Sequence, residues 1–189
     1  MLTVAAYANG FLGGLLYDDR ASITENESIR RLGDLGTVVT PPAEAGTGGR
    51  PLANLTFAVS FALSGLSTWG YHVINVLTHV LAALTLFGVV RRTLRQPALD
   101  QRFGLEAVPL AGAIAILWAL HPLQTQVVTY VSQRTESLMA LCYLLTLYCF
   151  IRGAEERPRV WYPLAVLACL LGVLSKEVIA TAPLIVLLY

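Results

Sequence analysis

WGYHVINVLTHVLAALTLFGVV, residues 69–90, is bordered by Trp69 and Tyr71 at one end and by Arg91, Arg92, Arg95 and Arg102 just past the other. An apolar run of this length meets the ~20 residues that a helix needs to cross a bilayer. Aromatic residues at one end and arginines at the other are the usual interfacial anchors of such a span. The whole chain agrees with that reading. Of its 189 residues, 56% are hydrophobic and 13% charged, against roughly 25% charged in soluble domains, and the mean hydropathy is +0.63. The expectation is an all-α, polytopic membrane helix bundle. A net charge of +1 gives no reason to expect nucleic acid as a partner. Cys142, Cys149 and Cys169 lie inside apolar runs, lack metal-ligand spacing and read as small core hydrophobes.

Working outward from 70–90, further spans are expected at 105–120, 137–151 and 160–174, with partial spans at 1–16 and 178–189. The abrupt ends suggest a truncated transmembrane domain covering 1–189, with parts missing on both sides. Residues 18–69 form a large first loop, which holds six of the chain's 12 acidic residues between Asp18 and Glu44. Within it, Ser22-x-x-Glu25 has the form of a capping box for a short helix running towards Leu32, and Thr40–Arg50 reads as a flexible connection. Leu52–Leu66 carries Thr56, Ser60 and Ser64 at a spacing of four, a polar stripe that suits a helix lying in the membrane interface better than one crossing it, with a span as the alternative. His121–Glu136 reads as a polar return loop with a short helix after Pro122.

The loops around 91–102 and 152–159 hold Arg91, Arg92, Arg95, Arg102, Arg152, Arg157 and Arg159. The positive-inside rule makes them cytoplasmic. Alternation then sends 18–69, 121–136 and Lys176-Glu177 to the opposite, outer face. Every ionisable group with a chemical claim gathers there, so the expected active site is periplasmic in a bacterial inner membrane or lumenal in the endoplasmic reticulum.

Asp18 and Asp19 stand where the N-terminal apolar run ends. They are either a solvated flanking pair or a general base facing water, and a divalent cation held with a phosphate is a further use of such carboxylates. Arg50 is either a snorkelling side chain or a phosphate fork. Arg134 and Glu136 could pair with each other. Lys176, the only lysine, is suited to a phosphate at the membrane surface or to a salt bridge with Glu177. His72, Asn75 and His79 share one helical face; His72 lies close enough to the outer end to support a site. His121 has no second ligand at metal spacing, which argues against zinc; no metal-ligand set is expected beyond the possible divalent cation at Asp18 and Asp19.

Together these motifs resemble a known family. Tyr17-Asp18-Asp19 with Ile23-x-x-Asn26, Arg50-Pro51-Leu52 with Leu55-Thr56-Phe57, and Gly70-Tyr71-His72-x-x-Asn75-Val76-Leu77-x-His79 occur in order. His121-Pro122-x-x-Thr125-x-x-Val128-Thr129-Tyr130-Val131, then Arg134, and Leu174-Ser175-Lys176-Glu177 complete the set. The series resembles the membrane half of the TPR-containing transmembrane O-mannosyltransferase-like proteins, of the GT-C glycosyltransferase superfamily. Two departures stand out: Gly49 precedes Arg50 where an aromatic is common, and no TPR repeat is present.

The resemblance implies transfer of a sugar, usually mannose, from a polyprenyl-phosphate donor to an acceptor hydroxyl, often a protein Ser or Thr, with membrane lipids around the donor's tail. It implies Asp18 as the base with Asp19 supporting it, and inversion at the anomeric carbon. Arg50, Arg134 and Lys176 would neutralise the leaving phosphate, and His72, His121, Glu136 and Glu177 would support the site. A transporter or flippase for a lipid-linked or anionic substrate is the competing expectation, and a non-catalytic membrane scaffold is the third. The clustering of charge at one interface, rather than at mid-membrane, disfavours transport.

Overall fold

A computed structural model describes residues 2–189. Among them every regular element is helical and no strand occurs, so the chain is an all-α membrane protein. In order, the helices are α1 (Leu2–Ala6), α2 (Leu35–Val39), α3 (Pro51–Ser64), α4 (Thr68–Leu94), α5 (Pro97–Phe103), α6 (Ala107–Ala119), α7 (Gln124–Thr129), α8 (Arg134–Glu155), α9 (Pro158–Val173) and α10 (Ala182–Leu188). Proline supplies the first turn of α3, α5 and α9, where its missing N–H costs nothing.

Among the described residues two segments are long and apolar enough to cross a membrane, Thr68–Leu94 and Val131–Glu155. At 1.5 Å per residue, the 27 residues of α4 extend roughly 40 Å, more than a hydrocarbon core. The pair α5 and α6 qualifies only when taken together, and it bends by 93° at the break. α3, α9 and the segment Glu177–Leu188 are shorter apolar helices. Against the spans expected from sequence, α4 and α8 are longer at both ends. The stretch 1–16 departs most: α1 stops at Ala6, a 3₁₀ turn follows at Ala8–Leu12, and Gly13 is extended. Asn9, Gly10, Gly13 and Gly14 are poor helix formers, and they fall where the break occurs.

α4 is the hub. α6 lies on it through Ala107, Ala111, Ala115 and Ala119, all buried and four residues apart, so that two backbones approach closely in the manner of small-residue membrane interfaces. α8 packs along α4 and α9. The C-terminal ends of α4 and α8 are clasped together. Arg92 bonds Glu155 and lies 3.6 Å from Glu156, Arg152 Nη2 is 2.5 Å from Glu156, and the Arg152 guanidinium sits 4.1 Å over the Trp161 ring. The arginine-rich loops therefore occupy one end of the bundle, and the N-termini of α4 and α8 meet at the other.

The 18–69 loop is folded rather than loose. Ile23, Ile29, Val38, Phe57 and Ala58 bury against Tyr71 of α4 and Val131. The expected capping box does not form: Ser22 is buried within a π-helical turn, Arg20–Thr24. Asn26 caps the next turn instead, accepting from Ser28 N at 3.1 Å, and Asp34 caps α2, accepting from Thr37 N at 3.3 Å. Nor is Thr40–Arg50 a free connection, since Thr47 is fully buried. A Cβ on Gly46 would stand 2.1 Å from Ser22 Oγ, and Gly49 has φ of 70°, a conformation that only glycine adopts readily.

Candidate functional site

The elements of the site converge on the short segment joining α7 to α8. Tyr17 enters it with φ of 43°, the one non-glycine residue of positive φ among the described residues. Such a backbone costs of order 1–3 kcal/mol and persists only where its surroundings enforce it. Here the surroundings are visible. Asp18 N donates to Tyr130 Oη at 3.0 Å. The Asp19 carboxylate accepts from Leu16 N at 3.0 Å and from Ser132 N at 2.7 Å.

The two aspartates are thus not equivalent. Asp19 is 1% exposed, and each of its oxygens is occupied by a main-chain N–H. Asp18 is exposed, and its side chain makes no hydrogen bond among the described residues. Beside them an open cavity of about 340 Å³ is lined by Gly14, Leu16, Tyr17, Asp19, Gln126, Thr129 and Tyr130. Each Asp19 oxygen accepts one amide, and no group of three or more His, Cys, Asp or Glu side chains suited to a metal occurs among the described residues.

Arg134, expected to pair with Glu136 or to neutralise the leaving phosphate, is instead enclosed. It is 0% exposed. Nε donates to Asn75 Oδ1 at 2.6 Å, Nη1 to Ser60 Oγ at 2.9 Å and the Thr56 carbonyl at 3.0 Å, and Nη2 to the Tyr71 carbonyl at 2.8 Å. The Phe57 ring lies 4.4 Å from its centre. A guanidinium enclosed on every side by protein acceptors presents no fork to a ligand; it pins α3, α4 and α8 together. The stripe Thr56 and Ser60 on α3 is the receptacle for this cation.

Glu136 does not pair with Arg134. Its Oε1 bonds Lys176 Nζ, and both side chains remain partly exposed, 29% and 24% respectively. Lys176 correspondingly does not pair with Glu177, which is exposed. Arg50 caps α3 without a side-chain partner among the described residues; Leu52 N donates to Leu174 O at 3.1 Å, which brings the start of α3 against the Ser175-Lys176 turn. His72 is buried, with Nε2 3.4 Å from the Gly13 carbonyl, so it joins α4 to the extended backbone that leads towards Asp18. His121 is exposed and accepts from Leu123 N through Nδ1 at 3.2 Å, shaping the turn before α7. His79 donates to Ala119 O at 3.0 Å, an acceptor it shares with Tyr7 Oη at 3.0 Å, and stacks on Trp118 at 4.9 Å. Its role is to join α4 to α6.

Tyr130, Ser132 and Asn75 were not among the residues expected in the site. Tyr130 and Asn75 lie inside quoted motifs; Ser132 acts through its main chain and leaves no trace in the side-chain pattern.

The architecture is that of a helical membrane protein whose candidate site lies at the end opposite the arginine-rich loops. A family profile described as dolichyl-phosphate-mannose-protein mannosyltransferase matches residues 48–189, and the chain belongs to that family. It is 32% identical to the protein O-mannosyl-transferase Tmtc1 of Drosophila melanogaster across 96% of the chain and 21% of that protein. It is also 32% identical to Drosophila Tmtc2 over the full chain and 20% of that protein. To human protein O-mannosyl-transferase TMTC3 it is 27% identical, over 93% of the chain and 19% of the relative. The chain therefore spans about a fifth of the length of these relatives. No solved structure matches it.

Proposed function

We propose that this chain carries the reaction centre of a multi-pass, GT-C type mannosyltransferase that takes its sugar from a polyprenyl phosphate. The acceptor is a hydroxyl, in the first instance of a protein Ser or Thr. The observation that carries the reading is the division of labour between Asp18 and Asp19. Asp18 is exposed and its side chain is unbonded among the described residues, while its neighbour Asp19, which lines the adjacent cavity, is held by the main-chain N–H groups of Leu16 and Ser132. That is the preorganisation a general base requires.

In the proposed step Asp18 removes the proton of the acceptor hydroxyl. The hydroxyl oxygen forms a bond to the anomeric carbon as the bond from that carbon to the phosphate oxygen breaks, and the electron pair leaves with the phosphate. One displacement inverts the anomeric centre. The donor's apolar tail stays among membrane lipids and its phosphate sits at the interface, where Lys176 and Arg50 supply the positive charge; stabilising charge that develops on a leaving group is commonly a large catalytic contribution. Arg134 contributes by holding the helices that carry these groups. The arginine-rich end faces the cytoplasm under the positive-inside rule, so the site opens to the periplasm or lumen.

The test is transfer of labelled mannose from a synthetic polyprenyl-phosphate donor to Ser/Thr peptides by the full-length protein. Asp18→Asn is expected to lower the rate by about 10²–10⁴-fold with expression and membrane insertion unchanged. Undiminished transfer by Asp18→Asn would overturn the assignment.

A further inference from the structure

The Glu136–Lys176 contact has a consequence for which lipid phosphate the site retains. Lys176 is the sole lysine. It sits in extended backbone ahead of a 3₁₀ turn, a flexible ammonium that can be offered to more than one partner. Glu136 lies in the first turn of α8, where a carboxylate is favoured by the helix dipole whether or not a cation is near. The pair is partly exposed on both sides, unlike the enclosed Arg134, so a phosphate can reach Lys176 by displacing Glu136.

We infer that Glu136 is a specificity-determining residue that competes with the lipid phosphate for Lys176 and so biases the site against the spent donor. The inference rests on the proposed role of Lys176. A sugar-linked polyprenyl phosphate is a phosphodiester with one negative charge. The product is a phosphomonoester, whose second ionisation near pH 6 gives it a charge approaching −2 at neutral pH. An unopposed cation would hold that product more tightly than the substrate and stall turnover. A tethered carboxylate opposes both, because it occupies Lys176 at high effective concentration. It also repels each charge on the bound phosphate, so the dianion is penalised more than the monoanion. Re-formation of the Glu136–Lys176 pair then accompanies product release.

The experiment measures binding of synthetic polyprenyl phosphate and of its mannosyl diester to the full-length protein in detergent or nanodiscs at neutral pH. Wild type is compared with Glu136→Gln, Glu136→Asp and Lys176→Met. Glu136→Gln keeps the shape and position of the side chain and is expected to tighten both lipids, the monoester more, raising the monoester-to-diester affinity ratio by about tenfold. In turnover it lowers KM for the donor and makes product inhibition stronger. Glu136→Asp, which restores the charge, should return the ratio towards wild type. A merely structural Glu136 would leave the ratio where it is, and an unchanged ratio in Glu136→Gln overturns the inference while leaving the phosphate role of Lys176 standing if Lys176→Met weakens both lipids. Should Lys176→Met weaken neither, the phosphate role fails and the inference with it.

Discussion

The Asp19 carboxylate accepts the Ser132 main-chain N–H at 2.7 Å, joining positions 113 residues apart. With Asp18 N on Tyr130 Oη, this contact makes the α7–α8 junction the mount on which the first loop sits. The geometry separates the roles of two adjacent, chemically identical residues. Asp19→Ala strands two part-buried amides, so it is expected to cost about 1–3 kcal/mol of stability and to reduce transfer through loss of position. Asp18→Asn, at an exposed site, is expected to change stability by no more than about 0.5 kcal/mol. Thermal unfolding of the two variants in detergent, alongside the transfer assay, checks the contrast; equal destabilisation by both would contradict it.

Arg134 offers a sharper prediction about what the buried charge does. Arg134→Met removes the donors that satisfy Asn75 Oδ1, Ser60 Oγ and the carbonyls of Thr56 and Tyr71. Ser60 Oγ keeps its bond to the Thr56 carbonyl, but the buried Asn75 Oδ1 loses its donor and the three helices lose their shared partner, so the expected loss is about 3–5 kcal/mol, enough to deplete the protein from membranes. Arg134→Lys retains the charge but not the planar fork, and it should recover only part of the loss. A phosphate-binding role alone would instead leave folding intact and raise the donor KM. Quantifying folded protein by size-exclusion profile and melting temperature distinguishes the two.

The contrast between α4 and Arg134 shows which parts of the molecule were legible in sequence. α4 could be read because bilayer thickness fixes its length and its anchors are side chains. The all-α class and the two-ended distribution of charge followed from the same physics. Arg134 was expected at the leaving phosphate, whereas it is fully buried in the structure, a burial that depends on partners from two other helices. Its receptacle was nonetheless visible: Thr56 and Ser60 recur on one helix and Asn75 on the next, polar groups that would be costly in an apolar bundle without a charge to share. The Asp19–Ser132 contact could not be read at all. Every residue except proline offers a main-chain N–H, so position 132 carries no mark of its role. The kinked start of the chain and the folded 18–69 loop were hidden for a related reason, since tertiary contacts set both.

Two helix glycines separate packing from propensity. A Cβ at Gly172 would stand 1.9 Å from Ile179 Cδ1 and 3.0 Å from Cys142 Cβ, whereas one at Gly112 would meet nothing within 4 Å. Gly172→Ala should therefore force α9 away from α8 and the following 3₁₀ turn and cost about 1–3 kcal/mol. Gly112→Ala, in the interior of α6, should gain up to about 1 kcal/mol from reduced backbone entropy. The melting temperatures of the two variants are expected to move in opposite directions. A loss of stability at Gly112 would show that another surface packs on that face of α6.

Asn26-Glu27-Ser28 and Asn54-Leu55-Thr56 both match the N-glycosylation pattern, on a loop proposed to face the lumen or periplasm. Burial decides against their use in the folded protein. Asn26 is 3% exposed and Asn54 0%. Asn26 Nδ2 donates to Ser22 O at 3.0 Å and Asn54 Oδ1 at 2.9 Å, and Asn54 Nδ2 donates to Ser28 Oγ at 2.9 Å and Val38 O at 2.7 Å. The nitrogens that would carry a glycan are the ones that close this network. Endoglycosidase treatment of protein made in a glycosylating host is expected to leave its electrophoretic mobility unchanged. Asn54→Asp, nearly isosteric, replaces a donor by an acceptor facing Val38 O and is expected to destabilise the loop by about 1–3 kcal/mol. Protease cleavage confined to 18–50 would report that opening, and a mobility shift with endoglycosidase in the wild type would show that the network forms too late to exclude the glycan.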